Sequence, residues 1–274
     1  MPERFEYGRH PDQFGELTLP PAGTPIRGTV VLIHGGYWRA AYTLDLCRPG
    51  AADLASRGWA AVNLEYRRAG SGGGWPETCS DIAAGIDALA DLPEFARPGG
   101  TVPQPVIGLG HSAGGHLAVW AAGTRSTGNS STGSSRTGTT TAPGTRVPLA
   151  AVVSQSGLLD LRRAHQLGLS NGAVRNFLGA DPDEDPARYR EADPVQQVPA
   201  GIPVFVLHGD QDTTVPLELS QSYVAAATAA GGHAELRLVP GDHYAMITPG
   251  TPAWDGVVQA LGAAAKAAAN AAAG

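Results

Sequence analysis

Apolar positions along this chain follow two rhythms. Thr29–His34 (TVVLIH), Ala60–Tyr66 (AAVNLEY), Val106–Gly110 (VIGLG), Leu149–Ser154 (LAAVVS) and Val204–His208 (VFVLH) are apolar at nearly every position. Short unbroken runs of this kind predict strands buried on both faces, as in a parallel sheet sandwiched between helices. Ala234–Val239 (AELRLV) alternates instead and suits a strand nearer the sheet edge, and Glu16–Leu19 predicts a short N-terminal strand antiparallel to the rest. Helical spacing occupies the intervals, over roughly Leu44–Arg57, Pro76–Leu92, Ala113–Gly123, Pro216–Ala230 and Pro252–Ala272. Pro76 stands where a first helical turn tolerates proline, and Gly58 stands where a helix stops. The alternation predicts an α/β fold: a mostly parallel, doubly wound sheet of about seven or eight strands with right-handed crossovers. Such sheets bind ligands outside the carboxyl ends of their strands, which is where candidate chemistry should lie.

Two segments break the alternation. Thr124–Arg146 holds 17 Ser, Thr or Gly in 23 residues. It lacks the apolar side chains to order itself, so a flexible surface insertion is expected. Ser156–Pro203 is too long for a simple crossover and predicts a small cap over the site. Residues 1–274 otherwise read as a single domain.

Composition narrows the function classes. A net charge of −6 gives no footprint for nucleic acid. No apolar run approaches the ~18 residues of a membrane span, so no membrane partner is expected. The opening MPERFEYGRHPDQFGELTLP has no apolar export core. A cytoplasmic location follows as the expectation, with Cys47 and Cys79 as reduced thiols. No His/Cys/Asp spacing suggests a metal, and no cofactor is expected.

The strongest local signal is Gly110-His111-Ser112-Ala113-Gly114. This G-x-S-x-G follows a predicted strand and opens a predicted helix, the context in which a nucleophilic serine sits on a sharp turn. Small residues at Gly110 and Gly114 let the turn close and leave the Ser112 hydroxyl exposed. An activated serine needs a base and an orienting acid. His243, in GDHY, follows the last predicted strand, and Asp212, in HGDQDTTVP, follows the one before. Asp210 is the rival acid, but it sits tight against the strand end, where supporting the turn is the expected role. His208 is expected to be buried and hydrogen-bonded, His111 and His116 structural, and His10, His165 and His233 at the surface. Acyl transfer also needs N–H donors for an oxyanion. Ala113 supplies one. The loop His34-Gly35-Gly36-Tyr37-Trp38-Arg39 supplies Gly36 and Tyr37, with Gly35 less securely placed. Tyr37 and Trp38 could also line a substrate pocket, and Trp75 could either face the site or pack in the core.

Together HGGYW at 34–38, GHSAGG at 110–115, and the Asp212 and His243 segments resemble the α/β-hydrolase superfamily. The resemblance runs from about Gly15 to Ala260, outside the Ser/Thr/Gly-rich stretch. HGGYW is similar to the kynurenine formamidase and hormone-sensitive-lipase-like carboxylesterase branch. That likeness implies a cofactor-free hydrolase of small acyl or formyl substrates, with the Ser112, Asp212, His243 order of the superfamily. Tyr37 stands where the lipase-like esterases usually carry glycine, a departure toward the formamidases. The leading expectation is a serine hydrolase of small carboxylic esters, with arylformamidase as the alternative. A ligand-binding pseudoenzyme is the alternative from another class, disfavoured by the complete triad.

Overall fold

The computed structural model describes residues 2–95, 101–126 and 146–273. Its strands are β1 (Glu3–Glu6), β2 (Phe14–Thr18), β3 (Thr29–Ile33), β4 (Ala60–Leu64), β5 (Val106–His111), β6 (Ala151–Gln155), β7 (Val204–Gly209) and β8 (Ala234–Val239). They form one eight-stranded sheet in the order β1-β2-β4-β3-β5-β6-β7-β8. β2 pairs antiparallel with β1 and β4, while β3 to β8 are mutually parallel. The helices are α1 (Arg48–Ser56), α2 (Glu77–Asp87), α3 (Ala113–Ser126), α4 (Leu161–Gln166), α5 (Leu169–Leu178), α6 (Pro186–Ala192), α7 (Glu218–Ala229) and α8 (Pro252–Ala273).

Strand periodicity explains the layers. Val31 and Ile33 of β3 point into one core, with Ile82 and Ile86 of α2, Leu117 of α3 and Leu219 of α7. Val30 and Leu32 point into the other, with Leu54 of α1 and Trp254, Val257 and Leu261 of α8. Successive side chains on a strand face opposite ways, so a run apolar at every position requires a core on both sides. The five unbroken runs are the central strands, and β8, half-buried or exposed everywhere but Val239, is an edge.

Three local departures have physical causes. β1 escaped sequence reading because ERFE carries only one apolar side chain; Phe5 packs on the core and Arg4 lies 3.7 Å over the Phe14 ring. The helix expected over Leu44–Arg57 divides into a 3₁₀ turn, Leu44–Cys47, and α1. Pro49 in its first turn has no N–H to continue a helix from the preceding residues. β2 lies two residues earlier than expected at its start, with Gly15 opposite Leu64.

The segment Ser156–Pro203 carries α4, α5, α6 and a 3₁₀ turn, Pro194–Gln196. Leu161, Phe177 and Tyr189 join the same core as α2, α3 and α7. At the start of α5 the chain turns left-handed at Ser170, Asn171 and Gly172. The Arg39 guanidinium donates to the Ser170 carbonyl there and ties this segment to the loop after β3. Of the expected insertion, residues 127–145 lie outside the described residues. α3 runs on to Ser126, and Arg146 is anchored: its N–H donates to Asp87 (2.9 Å) and its guanidinium pairs with Asp91 (2.5 Å).

Candidate active site

Ser112 sits between the end of β5 and the start of α3 with φ of 55°, a left-handed conformation unusual for a side-chain-bearing residue. Glycine makes the turn possible. A Cβ on Gly110 would lie 2.1 Å from the Gly114 carbonyl oxygen, and one on Gly114 would lie 2.0 Å from that of Ile33. The backbone is pinned on both sides of the hydroxyl: the Ser112 N–H donates to Gln155 O (2.8 Å), and the Gly115 N–H donates to Ser112 O (2.9 Å). Strain held by such surroundings is characteristic of functional sites.

Asp212 and His243 meet as their order suggested. His243 Nδ1 lies 2.7 Å from Asp212 Oδ2, and Asp212 Oδ1 accepts the N–H groups of Thr214 (2.8 Å) and Val215 (2.9 Å). Burial opposes ionisation of Asp212 more than any other single influence. The hydrogen bond and charge of His243, with the Val215 N–H, outweigh it together and hold the carboxyl well below the usual range. Because the carboxylate only accepts, Nδ1 of His243 carries a proton. Asp210 is exposed and does something else: its carboxylate accepts the Gly241 N–H (2.9 Å) and braces the turn before His243.

His111 couples elbow and base. Its Nε2 is 2.9 Å from the His243 carbonyl oxygen, and the two rings lie 4.5 Å apart. Burial, then the neighbouring His243 charge, push the His111 pKa down to about 3, so the ring stays neutral beside the base. His208 is buried, bridging Ser220 Oγ (2.8 Å) and Val215 O (3.0 Å). His233 is exposed, whereas His10 and His165 are half-buried.

The loop after β3 passes against the nucleophile: a Cβ on Gly35 would come within 2.9 Å of Ser112 Cβ. Gly36 has φ of 111°, and Tyr37 and Trp38 continue at 52° and 56°. Among the described residues the Gly36 and Tyr37 N–H groups have no acceptor. Ala113 opens α3, where the first N–H groups of a helix have no partner of their own. The Tyr37 hydroxyl donates to Thr214 O (2.9 Å), linking this loop to the acid turn; burial, then the Asp212 charge, raise its pKa to about 12.

Trp38 is a correction. A pocket-lining role was expected, yet its side chain is fully buried. It stacks on Phe177 with centroids 4.5 Å apart and donates from Nε1 to His116 Nδ1 at 3.3 Å. A ring that water cannot reach offers no surface to a substrate; it fastens the loop to α3 and α5. His116 completes that contact, donating from Nε2 to Ala192 O (2.9 Å), and burial lowers its pKa to about 4. Trp75 is half-buried and edge-on to Trp120, with centroids 6.0 Å apart. Sequence reasoning missed Tyr244, half exposed and edge-on to His243 at 5.4 Å, and Tyr42, packed against Gly36. Adjacency to GDH could have flagged Tyr244; nothing in the sequence flags Tyr42. It also missed Glu65, Tyr66 and Arg68, which lie behind His34.

A serine elbow, an imidazole and a carboxylate at the carboxyl ends of β5, β8 and β7 define an α/β-hydrolase fold. Within it the chain belongs to the BD-FAE family, whose model matches residues 16–226. It is similar to the "Probable carboxylic ester hydrolase LipM" of Mycobacterium tuberculosis, 29% identical over 80% of this chain and 49% of that protein. The chain thus spans about half the length of the curated relatives it matches. Among solved structures, a carbohydrate esterase from gut microbiota superposes with a TM-score of 0.76 at 21% identity, covering 96% of this chain and 95% of that one. Esterase 2 of Thermogutta terrifontis, phosphonylated by sarin, gives a TM-score of 0.68 at 23% identity over 95% of this chain and 92% of that one. At these identities the structural likenesses speak for the fold. No helix among the described residues is long and apolar enough to cross a membrane.

Proposed function

We propose that this chain is a serine hydrolase of small carboxylic esters, working through an acyl-enzyme. The observation that carries it is the 2.7 Å Asp212–His243 bond, joined through His111 to a serine on a strained elbow. The family membership and the carboxylic ester hydrolase among the relatives support the same reading. Ser112 Oγ attacks the ester carbonyl while its proton passes to His243 Nε2. Asp212 holds the Nδ1 proton and stabilises the imidazolium that forms. The Gly36, Tyr37 and Ala113 N–H groups receive the developing oxyanion. Collapse sends the proton from Nε2 to the departing alcohol, and water, activated by the same imidazole, then releases the acid. Every step uses groups of this chain, and no metal or cofactor enters.

Tyr37, half-buried between the oxyanion loop and the acid turn, is the residue best placed to contact the substrate. The arylformamide alternative would use the same steps with an amine as leaving group. A fluorophosphonate probe should label Ser112 stoichiometrically, and Ser112→Ala should lose both label and turnover while keeping the wild-type fold. A well-folded Ser112→Ala protein with near wild-type turnover overturns the mechanism. p-Nitrophenyl acetate should be cleaved faster than N-formylkynurenine; the reverse preference assigns the chain to the formamidases.

A further inference from the structure

His34, which ends the strand run before the oxyanion loop, is completely buried, and its ring is held at both nitrogens. Nδ1 lies 2.8 Å from the Gly35 carbonyl oxygen, and Nε2 lies 2.9 Å from Glu65 Oε1. A carbonyl oxygen can only accept. Glu65 is ringed by donors: the Tyr66 N–H (2.9 Å), the Leu44 N–H (3.0 Å) and the Arg68 guanidinium (2.9 Å), besides the histidine. With donors on both oxygens and no acceptor in this ring of contacts, Glu65 is a carboxylate. A neutral imidazole offers one N–H and would leave its bare nitrogen lone pair facing an oxygen; satisfying both contacts takes two protons. We infer that His34 is a buried imidazolium paired with Glu65, and that the pair polarises the oxyanion hole through the Gly35–Gly36 peptide.

The covalent arrangement makes the coupling direct. The Gly35 carbonyl that accepts from His34 and the Gly36 N–H assigned to the oxyanion are opposite ends of one peptide unit. A charged donor on the carbonyl draws electron density toward the oxygen and makes the N–H at the other end a stronger donor, as hydrogen bonds in a chain reinforce one another. The sequence of groups is Glu65 carboxylate, His34 imidazolium, Gly35 carbonyl, Gly36 N–H, substrate oxyanion. Its positive member lies on the substrate side. That orientation favours the tetrahedral intermediate over the neutral ester, so the effect falls on kcat more than on KM.

The surroundings make a buried charge tolerable. Arg68 pairs with Glu65 and, through Nη2, with Asp12 (2.7 Å), so two cations meet two carboxylates. The Tyr66 ring stacks on His34 with centroids 4.3 Å apart, and its hydroxyl donates to His34 O (2.8 Å). Other titratable neighbours among the described residues include the Tyr7 hydroxyl, which donates to Glu65 O (2.6 Å), the Arg48 guanidinium, the buried thiols of Cys47, near Glu65, and Cys79, near Tyr66, and the neutral ring of His111. None of these adds a second negative charge against His34. His34 and Glu65 are positioning residues: they act through Gly36 and touch no substrate.

The inference rests on the serine-hydrolase reading, and its test separates the two. In the intact protein labelled with ¹⁵N-histidine, the His34 ring, assigned by comparison with His34→Gln, should show protons on both nitrogens at about pH 8, where an unpaired histidine is neutral. Glu65→Gln keeps the shape of Glu65 and removes its charge. There His34 should lose one proton, and kcat per fluorophosphonate-titrated serine should fall about tenfold or more, with KM within about threefold. That loss is smaller than the ~10²–10³ of deleting a donor outright, since Gly36 N–H remains. A singly protonated His34 in the wild-type protein overturns the inference and is readable even if Glu65→Gln does not fold. So does an unchanged kcat per active site in a folded Glu65→Gln protein. Failure of the probe to label Ser112 instead overturns the hydrolase reading, leaving the protonation of His34 measured.

Discussion

Asp210 and Asp212 stand two positions apart on the same turn, and the structure gives them opposite tasks. Asp212 is desolvated, bonded to His243 and to two backbone N–H groups; Asp210 is exposed and braces Gly241. Asp212→Asn would present His243 with a donor where it needs an acceptor and favour the wrong tautomer, so kcat should fall by roughly 10⁴. Asp210→Asn keeps an acceptor for the Gly241 N–H and should change kcat by less than about tenfold. Steady-state kinetics on both variants checks this, and a reversed order makes Asp210 the triad acid. Since His243 must be neutral to accept the serine proton, kcat/KM should also decline toward acid pH along a single ionisation. Neutral His111 should add no second step, because its pKa lies near 3.

At the scale of elements, the strand-to-helix corner and the helical segment Ser156–Pro203 show how sequence preference and packing divide the work. The corner is written in small residues at 110 and 114, and the segment Ser156–Pro203 is held by polar side chains that no local pattern reveals. Asp193, fully buried after α6, accepts the Leu161 (2.8 Å) and Arg162 (3.3 Å) N–H groups at the start of α4. Burial raises its pKa to about 7, against which those backbone donors pull only partly. A carboxyl with a raised folded-state pKa stabilises the fold most below the unfolded value and loses that contribution as pH rises through the folded value. The window is therefore about pH 4 to 7. Asp193→Asn keeps a neutral acceptor throughout, so its stability relative to wild type should increase between pH 5 and pH 8. Urea unfolding of both proteins at the two pH values measures the difference; a gap independent of pH would show that Asp193 does not titrate in this window.

Across the whole molecule, Ser112, Asp212 and His243 cluster at one end of the sheet and the low-complexity stretch attaches at the other. Its flanks are the end of α3, which leads away from Ser112, and Arg146, bound to Asp87, the last residue of α2, and to Asp91 in the 3₁₀ turn that follows it. The chain then re-enters beside the start of β5, where the Ala150 N–H donates to Val106 O at 2.8 Å. Replacing residues 127–145 with a short Gly/Ser turn should leave kcat/KM within a few-fold. Stability should change by about 1 kcal/mol or less, because closure entropy grows only with the logarithm of loop length. A large loss of activity in a folded replacement would place that segment in contact with the site.

The sequence by itself determined the five central strands and their burial on both faces, and it singled out Ser112, Asp212 and His243. Unbroken apolar runs such as Thr29–Ile33 permit only a strand buried on both faces, and side-chain alternation then assigns Val30 and Val31 to opposite cores. The serine is legible because its turn demands glycine at fixed neighbours, a requirement local in the chain. Asp212 and His243 are legible from their place just after strands whose carboxyl ends meet. Only the tertiary structure decided what depends on contacts distant in sequence. Trp38 could have faced substrate or core; the Phe177 ring, far along the chain in α5, decided for the core. Glu65 looks like an ordinary strand-end acid until folding sets it against a histidine 31 positions earlier. Hydrophobic periodicity is a property of neighbours along the chain. The protonation of a buried histidine is set by the acceptors at both its nitrogens, and for His34 the decisive one, Glu65, comes from beyond the end of β4.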